Sequence, residues 1–319
     1  MEVPQVFRRE RAAMANSDVQ VYPSIPARRV DREGFSIRED VLYSDPKGRE
    51  KPKFRKRAEK LLESVGDVLR RVLEPGETIF YMASAQPMPG ALAQFFGGGW
   101  HVYSLPRTLF IATDRRIVTL RLRKKMAGWN WNQGIQTVRW GDLTAVKSGG
   151  FISRTLTLTF RNGEKREFWR FESGDMKKLG QLWDAMREHA AGETSAAGGI
   201  QPLCPKCLAA LSPKHYKCAS CGTEFKDEKT LWQRGLMIPG GASLYVGASG
   251  LGVLRAVFET LITLSIILSV LRLIGASGNH DLQSQIMGQI AVECIILFLD
   301  KCLAYYLALP QVRDFIPLD

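Results

Sequence analysis

The sequence predicts an α+β protein of several domains, with a small antiparallel β-barrel, a capping helix, a four-cysteine metal site and a C-terminal transmembrane helical hairpin. Three observations predict this architecture. Apolar and polar residues alternate through the middle of the chain. Two CxxC pairs lie ten residues apart, and two apolar runs near the C-terminus are each long enough to cross a bilayer. With 319 residues, the chain is long enough for two or more folded units.

Residues 1–53 alternate charged residues with Pro, Ser and Gly and show no sustained apolar period, which predicts a basic, disordered segment. The pattern changes at residues 54–74, where apolar residues recur at intervals of three and four. That spacing predicts an amphipathic helix, and Pro75-Gly76 ends it. We expect the basic residues at its start to form a solvated face, with contact to lipid as the alternative.

Residues 75–191 show the two-residue period of β-strands. The period is clearest in TLTLTF (155–160), where apolar residues alternate with threonine. Apolar residues at helical spacing over 175–189 then predict a helix that closes the domain. A series of strands followed by one helix is expected to form a small antiparallel barrel or sandwich with a helical cap.

Asn162-Gly163 indicates a hairpin between the last two predicted strands. A two-residue turn would set the charged Lys165 and Glu167 opposite the apolar Phe160 and Leu158. We therefore expect a bulge or a longer loop at this turn.

The order of these elements resembles the bacterial pleckstrin-homology-like (PH-like) and GRAM-like domains. The resemblance is carried by the terminal helix and by EPGETIF (74–80), LFIATDRRIVTL (109–120) and VRWGDLTAV (138–146). It implies a PH-like barrel of the kind that binds lipids or proteins, with no catalytic residues to transfer to this chain. The basic signature of phosphoinositide binders between the first two strands is absent from the sequence.

Aromatic and basic residues fall in three predicted loops of this domain. In an up-and-down meander alternate loops lie at the same end, so we expect these side chains to converge on one rim. Because Trp favours the bilayer interface, the rim is expected to touch the membrane or the protein's own hairpin. The alternative is that the aromatic residues plug the end of the barrel. The rim residues are Phe95, Phe96, Trp100, Lys124, Lys125, Trp129, Trp131, Lys165 and Arg166.

The net charge of +12 is concentrated in this domain, because residues 78–191 contain 17 basic and 8 acidic residues, a net charge of +9. Such a field favours anionic partners, either lipid headgroups or nucleic acid. Anionic membrane surfaces attract basic residues by about 1 kcal/mol each.

A linker of small residues at 192–202 leads to a cysteine-containing segment at 203–226. Here Cys204, Cys207, Cys218 and Cys221 form two CxxC pairs, and each pair can turn two thiolates toward one ion. Four thiolates favour tetrahedral Zn²⁺, so we expect structural zinc, and two disulfides are the alternative. The segment resembles a short zinc ribbon, with Gly222 after the last ligand. Because the four cysteines complete the coordination shell, we expect neither metal catalysis nor a ligand role for His215.

The predicted membrane hairpin covers residues 235–309, with spans at 251–274 and 286–309 and a tail at 310–319. Each span supplies the roughly 20 apolar residues that a bilayer requires. Residues 236–254 resemble the Pro-Gly…Tyr-x-Gly stretch that opens a family of small two-helix membrane domains, with Ser243 where that family usually carries Gln or His. The resemblance implies membrane anchoring and no reaction.

Charged residues interrupt both spans, at a cost of about 2.5 to 3.5 kcal/mol each at a helix centre. Arg255 and Glu259 are spaced to pair within one helix, and Glu293 and Asp300 share a face of the other. We expect these side chains to pair with the neighbouring helix, an oligomer partner or water. The alternatives are a proton or ion path, or helices that lie at the interface or in a soluble core.

Basic residues set the expected orientation of the hairpin. Lys226, Lys229 and Arg234 precede it and Arg313 follows it, whereas the connecting loop has no Lys or Arg. The positive-inside rule then places both hairpin ends and the N-terminal domains in the cytoplasm. Together with the resemblance to bacterial domains, this implies a multi-pass protein of the bacterial inner membrane. No apolar stretch typical of a signal peptide opens the sequence.

These features predict a membrane-anchored adaptor or scaffold whose PH-like domain binds lipid headgroups or a protein partner. The protein as a whole is expected to have a protein partner or to form a homo-oligomer. The sequence has no Walker loop, nucleophile elbow or HExxH motif, so we expect no enzymatic activity and no small-molecule substrate. One alternative is a transport or assembly subunit that uses the intramembrane acids. Another is a membrane-tethered nucleic-acid-binding protein, which the few basic residues of the cysteine-containing segment support only thinly.

Overall fold

The computed structural model of the chain describes residues 21–22, 27–32, 34–89, 106–125, 128–149, 155–172, 174–189, 194–276 and 280–318. Its description of residues 123–125, 128–130, 132–133 and 188–189 is limited to the backbone. The chain divides into two compact units. The first, called here the sheet unit, lies within Met1–Met88 and Leu105–Leu211, and the second, the helical unit, contains Ser212–Asp319.

The sheet unit combines strands and helices as the sequence predicts for an α+β protein. Its strands are β1 (Arg29–Arg32), β2 (Phe35–Arg38), β3 (Thr78–Pro87), β4 (Arg107–Thr113), β5 (Arg116–Lys125), β6 (Gly128–Arg139), β7 (Leu143–Gly149), β8 (Thr155–Phe160), β9 (Lys165–Trp169) and β10 (Gln201–Leu203). Its helices are α1 (Glu39–Leu42), α2 (Pro52–Val72) and α3 (Asp175–His189).

The strands form one sheet in the order β10-β6-β5-β4-β3-β9-β8-β7, and each of these neighbouring pairs is antiparallel. This confirms the predicted antiparallel sheet, but the sheet is open, and the expected closed barrel is not observed among the described residues. The physical reason lies at β6, whose free edge is taken by β10 through the pair Leu203↔Ile135. The strand β7 is left at the opposite edge.

Strands β3, β4 and β5 carry apolar side chains on both faces because both faces are covered. One face packs against α2, whose Leu62, Val65 and Leu69 are buried with Ile111 and Val118 of the sheet. The apolar face of the amphipathic helix α2 is therefore the face that packs against the sheet. Pro52 stands at the first turn of this helix, where its missing N–H costs no hydrogen bond.

The other face forms the second core with β7–β9 and α3. Phe110 from the centre of the sheet meets Phe168 edge-on at 4.7 Å between ring centroids. Leu182 and Trp183 of α3 close this core. The helix at 175–189 thus lies where the sequence places a cap, against β7 and the 3₁₀ turn at Trp140–Asp142.

The prediction of a disordered segment at 1–53 is wrong for the part from residue 27 onward that the structure describes. Strand β2 pairs in parallel with β3 through Ile37↔Ile79, and Val41 and Leu42 are buried. These few apolar residues carry no period that a sequence reading detects. They are ordered because they complete a core supplied by distant strands. Residues 1–20 lie outside the described part.

The expected longer loop between β8 and β9 is confirmed. The Phe160 carbonyl accepts the N–H of Gly163, and Phe160 donates its own N–H to the Glu164 carbonyl. Residues 161–163 therefore form a three-residue loop between Phe160 and Glu164. Lys165 consequently stands opposite Thr159. The positive φ of Gly163, 83°, is the backbone reason for a glycine at this position.

The predicted linker at 192–202 is partly pinned to the sheet unit. Asn162 donates its N–H to Gly198, and the Asp142 carboxylate accepts the N–H of Ser195. A Cβ at Gly199 would lie 2.6 Å from the side-chain nitrogen of Asn162, so a larger residue there would have to displace the Asn162 side chain. The small residues of this segment therefore serve close packing as well as chain flexibility.

The TDRR turn between β4 and β5 is anchored by a buried ion pair. Arg116 contacts Glu77 at 2.9 Å, and Glu77 also accepts the Thr113 hydroxyl at 2.7 Å. The same guanidinium donates to the Val72 carbonyl at the end of α2. The EPGE and TDRR segments are thus adjacent, and their charged residues join α2 to the sheet.

The helical unit consists of α4 (Glu228–Met237), α5 (Gly241–Tyr245), α6 (Ser249–Gly275) and α7 (His280–Arg313). Close packing joins the first three. Gly240 has a φ of 65°, and a Cβ at Gly252 would lie 2.5 Å from Leu244. Glycines at these positions let the chain reverse between α4 and α6.

One helix in the described residues, α6, is long and apolar enough to cross a membrane. The second predicted span lies within α7, which has 34 residues but contains Glu293, Asp300 and Lys301 in its apolar part. A transmembrane hairpin of two helices is therefore not established by length and composition.

Candidate metal centre and the other predicted sites

The four predicted metal ligands come together in the structure. The sulfur atoms of Cys204, Cys207, Cys218 and Cys221 all lie within 4.8 Å of one another. No disulfide joins them, so the alternative of two disulfides is not observed. The predicted cluster of cysteines in metal-binding range is therefore confirmed.

Each CxxC pair is shaped by the same backbone turn. In the first, Leu208 has a φ of 59° and donates its N–H to the Cys204 carbonyl at 2.8 Å. In the second, Gly222 has a φ of 72° and donates its N–H to the Cys218 carbonyl at 2.9 Å. The residue after each second cysteine thus takes the left-handed conformation, which closes the turn behind both sulfurs.

The strands that flank the two turns are also equivalent. Cys204 donates its N–H to Ala209, and Cys218 donates its N–H to Thr223, at the same separation along the chain. Isolated antiparallel bridges lie outside them, Leu203↔Ala210 and Lys217↔Glu224. The segment is therefore built of two similar short hairpins, each presenting two thiols.

Contacts within each unit support the two hairpins. Arg71 of α2 donates to the Pro205 carbonyl inside the first turn. Beside the second, the Tyr216 hydroxyl donates to Glu228 at 3.0 Å, and Glu228 also accepts Arg313 at 2.9 Å. Burial, together with the Glu228 charge, raises the pKa of Tyr216, whereas the bond from Arg313 lowers the pKa of Glu228.

The donor set fits a soft, tetrahedral metal ion. The first cysteine of each pair is buried, whereas Cys207 is exposed and Cys221 half-buried. The group that the structure brings together contains these four cysteines and does not contain His215. Four thiolates match the ligand set of closed structural zinc sites. These residues could hold one ion with no open coordination position.

The predicted aromatic and basic rim is only partly described. Phe95, Phe96 and Trp100 lie outside the described residues, and Lys124, Lys125 and Trp129 are described by their backbone alone. Trp131 is half-buried, packs against the core beneath α2 and donates its indole N–H to Gly134 at 3.3 Å. Lys165 and Arg166 are exposed on β9. The convergence of these residues thus stays a prediction.

The charged residues predicted within the spans pair between the two long helices. The Nζ of Lys301 lies 2.6 Å from Glu259, and Arg255 lies 3.8 Å from Asp300. Glu293 accepts the Ser265 hydroxyl at 2.8 Å. The partners of Arg255 and Glu259 lie at positions 300 and 301 of α7, and the partner of Ser265, further along α6, lies earlier in α7 at position 293, as in antiparallel helices.

The pair of Arg255 with Glu259 that the spacing allows within one helix is not the one that forms, and both residues pair with the neighbouring helix, which was the first of the expected partners. The side chain of Glu259 turns toward α7, where Lys301 supplies a closer cation, and Arg255 turns to Asp300. The sequence places Lys301 among the charged residues of the second span but does not identify its partner. Its signal was its position beside Asp300 in an apolar run, but spacing within one helix cannot identify a partner on another.

In a helix of a water-soluble protein, apolar side chains are buried and polar ones are exposed, and α6 shows the reverse. Its buried residues are Gly252, Glu259 and Ser269, whereas Leu261, Leu271 and Ile274 are 61%, 59% and 70% exposed. Large apolar side chains are likewise exposed along α7. These are Leu282, Met287, Val292, Ile295, Ile296, Phe298, Leu299 and Tyr306.

Comparison with known proteins adds no family. No model of a known protein family matches the chain, and no curated protein does. Among solved structures, the chain is similar to the C-terminal domain of an unknown protein from Leishmania infantum. That likeness covers 41% of this chain and 94% of the other, at 10% sequence identity and a TM-score of 0.24. A likeness of this size carries no argument about fold or function.

Proposed function

We propose that this protein is a membrane-anchored adaptor whose sheet unit binds a lipid headgroup or a protein partner on the cytoplasmic side. The observation that carries the proposal is the reversed burial of α6 and α7. Large apolar side chains exposed along two long helices are unfavourable in water but favourable in the hydrocarbon core of a bilayer. Polar residues that face the neighbouring helix are typical of helices packed within a membrane.

The proposal includes both long helices, although only α6 meets the length and composition criteria by itself. The charges that interrupt α7 are met by groups of α6, through Lys301–Glu259 and Asp300–Arg255. Paired charges cost less in a membrane than single ones, because each removes the other's uncompensated field. This pairing supports a second span, and two antiparallel spans would have both ends of the hairpin on one side of the membrane.

The anchoring is tested by fractionation of cells that produce the full chain. We expect the protein to stay in the membrane pellet after extraction with alkaline carbonate and to enter solution only with detergent. Replacing Leu264 and Leu268, both exposed on α6, with Arg should place charges in hydrocarbon at about 2.5–3.5 kcal/mol each and reduce the membrane-bound fraction.

Leu318→Arg is the matched control, since Leu318 is also exposed but lies in the C-terminal tail. This variant should fractionate like the wild type. Release of the wild-type protein by carbonate, or unchanged membrane binding of the double Arg variant, would contradict the proposed anchor.

We also propose that the four cysteines hold structural Zn²⁺. The support is the closed set of four thiols and the matching turns behind them. When bound, such an ion stabilises the fold of its own segment and supplies no reaction, because no ligand position is open. The protein then has an anchor, a metal-stabilised segment and a binding unit, as an adaptor requires.

A transport or assembly role for the acids of the two helices is the weaker proposal. The contacts of Glu259, Glu293 and Asp300 account for these groups as structural pairs. A transport role would require that Glu293→Gln abolish function while the protein still inserts and folds.

A further inference from the structure

A concave cleft of about 440 Å³ lies on the sheet unit, where the loop before α2, the first turn of α2 and the start of α3 meet. Its volume is within the range of about 300–1,000 Å³ that small-molecule sites occupy. Six of its lining residues are basic, and two are acidic. The basic residues are Lys47, Arg49, Lys51, Lys53, Arg57 and Lys177.

The two carboxylates of the cleft are already engaged. Asp45 lies 3.0 Å from Lys51 and 3.2 Å from Arg49, and its other oxygen accepts two backbone N–H groups. Glu172 lies 2.7 Å from Arg57, which also contacts the buried Asp175. The two carboxylates of the cleft are therefore neutralised by Arg49, Lys51 and Arg57, and the other three basic residues of the cleft are not needed for this.

Three lysines around the cleft remain uncompensated. Lys47, Lys53 and Lys177 are exposed, and none forms an ion pair with another described residue. They come from three different segments, the loop, α2 and α3, so no single sequence pattern explains their approach. Holding like charges around one concavity costs repulsion that an anionic ligand would remove, and concave surfaces of one sign strengthen the local field.

The walls of the cleft are fixed before any ligand arrives. Gln181 of α3 donates to the Pro46 carbonyl at 3.0 Å, and the buried Lys178 donates to the carbonyls of Val41 and Ser44. Gly174 has a φ of 97°, and a Cβ there would lie 3.1 Å from the Pro46 ring. A preformed site loses less conformational entropy on binding than a mobile one.

We propose that this cleft binds a phosphate-bearing ligand. Lysines act as point charges that suit phosphate from several directions, and the positive end of the 21-residue helix α2 opens at the same place. The side chains of Phe54 and Pro46 supply apolar surface beside the cations. The cleft therefore has room for an organic group next to the phosphate, which a soluble phosphate ester or a phospholipid headgroup would equally provide.

The inference goes beyond membrane anchoring, because it rests on the sheet unit alone and would hold if the anchor were disproved. The test uses the full chain in detergent micelles and isothermal titration with two probes. Inorganic phosphate represents the soluble source, and dioctanoyl phosphatidic acid, with dioctanoyl phosphatidylcholine as its comparison, represents the lipid source.

We expect saturable binding of at least one phosphate probe by the wild type. The triple variant Lys47→Gln, Lys53→Gln, Lys177→Gln should bind about tenfold or more weakly, since a loss of about 1.4 kcal/mol already corresponds to tenfold. Phosphate binding as tight as that of phosphatidic acid would assign a soluble ligand. Binding of phosphatidic acid alone would assign a headgroup.

The matched control is Lys56→Gln, Lys60→Gln, Lys147→Gln, which removes the same net charge from exposed positions outside the cleft. This control should bind within about twofold of the wild type, as expected for charges outside the contact area. Absence of binding by the wild type, or an equal loss in both triple variants, would overturn the proposal.

Discussion

The ammonium group of Lys301 lies 2.6 Å from the carboxylate of Glu259, on the neighbouring helix, and the Glu259 side chain is only 2% exposed. Lys301 also donates to the Ile238 carbonyl at the end of α4. A single ion pair therefore joins three helices of the helical unit. It also pairs two opposite charges that lie within long apolar helices.

Breaking this pair from either side should destabilise the helical unit. Glu259→Gln or Lys301→Gln leaves a charge without its partner, which costs about 3–5 kcal/mol for a buried pair. The double variant Glu259→Leu, Lys301→Met should be more stable than either single variant, because it removes both charges together. Thermal unfolding in detergent micelles measures the three effects.

Glu293→Gln is the comparison for that series. Among the described residues, Glu293 accepts hydrogen bonds from the neutral side chains of Ser265 and Gln289, so its replacement should lower the melting temperature less than either single variant of the ion pair does. A double variant less stable than both single variants would contradict the assigned role of the pair.

Metal binding should depend on the four clustered cysteines. The purified protein, kept reduced, is expected to contain about one zinc ion per chain, as four-thiolate sites do. Cys218→Ser should lose the ion and unfold at lower temperature, because binding energy at such sites is folding energy. Elemental analysis and thermal unfolding provide the two readings.

Cys294→Ser serves as the control for cysteine number, since Cys294 lies on α7 outside the cluster. It should retain the full zinc content. Disulfides between the clustered cysteines in the reduced, freshly purified protein, or full zinc content in Cys218→Ser, would disprove the site.

Two glycines at the start of α6 should respond differently to the same substitution. A Cβ at Gly252 would lie 2.5 Å from the Leu244 side chain and 3.0 Å from its backbone nitrogen, so Gly252→Ala should cost about 1–3 kcal/mol. Gly250 has nothing within 4 Å, and Gly250→Ala should be neutral or stabilise by up to about 1 kcal/mol. Equal melting temperatures for the two variants would show that α5 does not pack as observed.

One carboxyl group of the sheet unit should make stability depend on pH. Burial raises the pKa of Asp114 from its ordinary 3.8 to about 6, although its Oδ1 accepts the N–H of Thr78. The folded protein therefore holds this proton more tightly than the unfolded chain. Stability from this group is present below about pH 4 and is lost as the pH rises to about 6.

Asp114→Asn should remove that dependence while keeping an oxygen for Thr78. We expect the variant to gain on the order of 2–3 kcal/mol over the wild type at pH 7 and little at pH 3.5, at about 1.4 kcal/mol per pKa unit. Unfolding across this pH range, with the exposed Asp184→Asn as control, measures the difference. A constant difference between variant and wild type at every pH would exclude the assignment.

The metal site was readable from sequence because its geometry is local. Each CxxC turn is closed by hydrogen bonds within six residues, so Cys204 and Cys207 share a direction wherever the segment lies. The apolar length of α6 and the alternation in TLTLTF are local in the same sense. The statement that failed concerned which distant strands meet, because the expected closure of the barrel is not observed among the described residues. The individual partner of Arg255 on α7 could not be named, because spacing within one helix does not identify a residue on another.

The sequence by itself determined the α+β composition, the alternating strands, the two thiol pairs and one helix fit to cross a membrane. Each follows from periodicity or spacing that the backbone converts directly into a face or a turn. Only the tertiary structure decided that Glu259 meets Lys301, that β10 takes the edge of β6, and that Lys47, Lys53 and Lys177 surround one cleft. These contacts form between residues far apart in the chain. Each residue has several possible partners, and the packing of whole helices and strands determines which of them it meets.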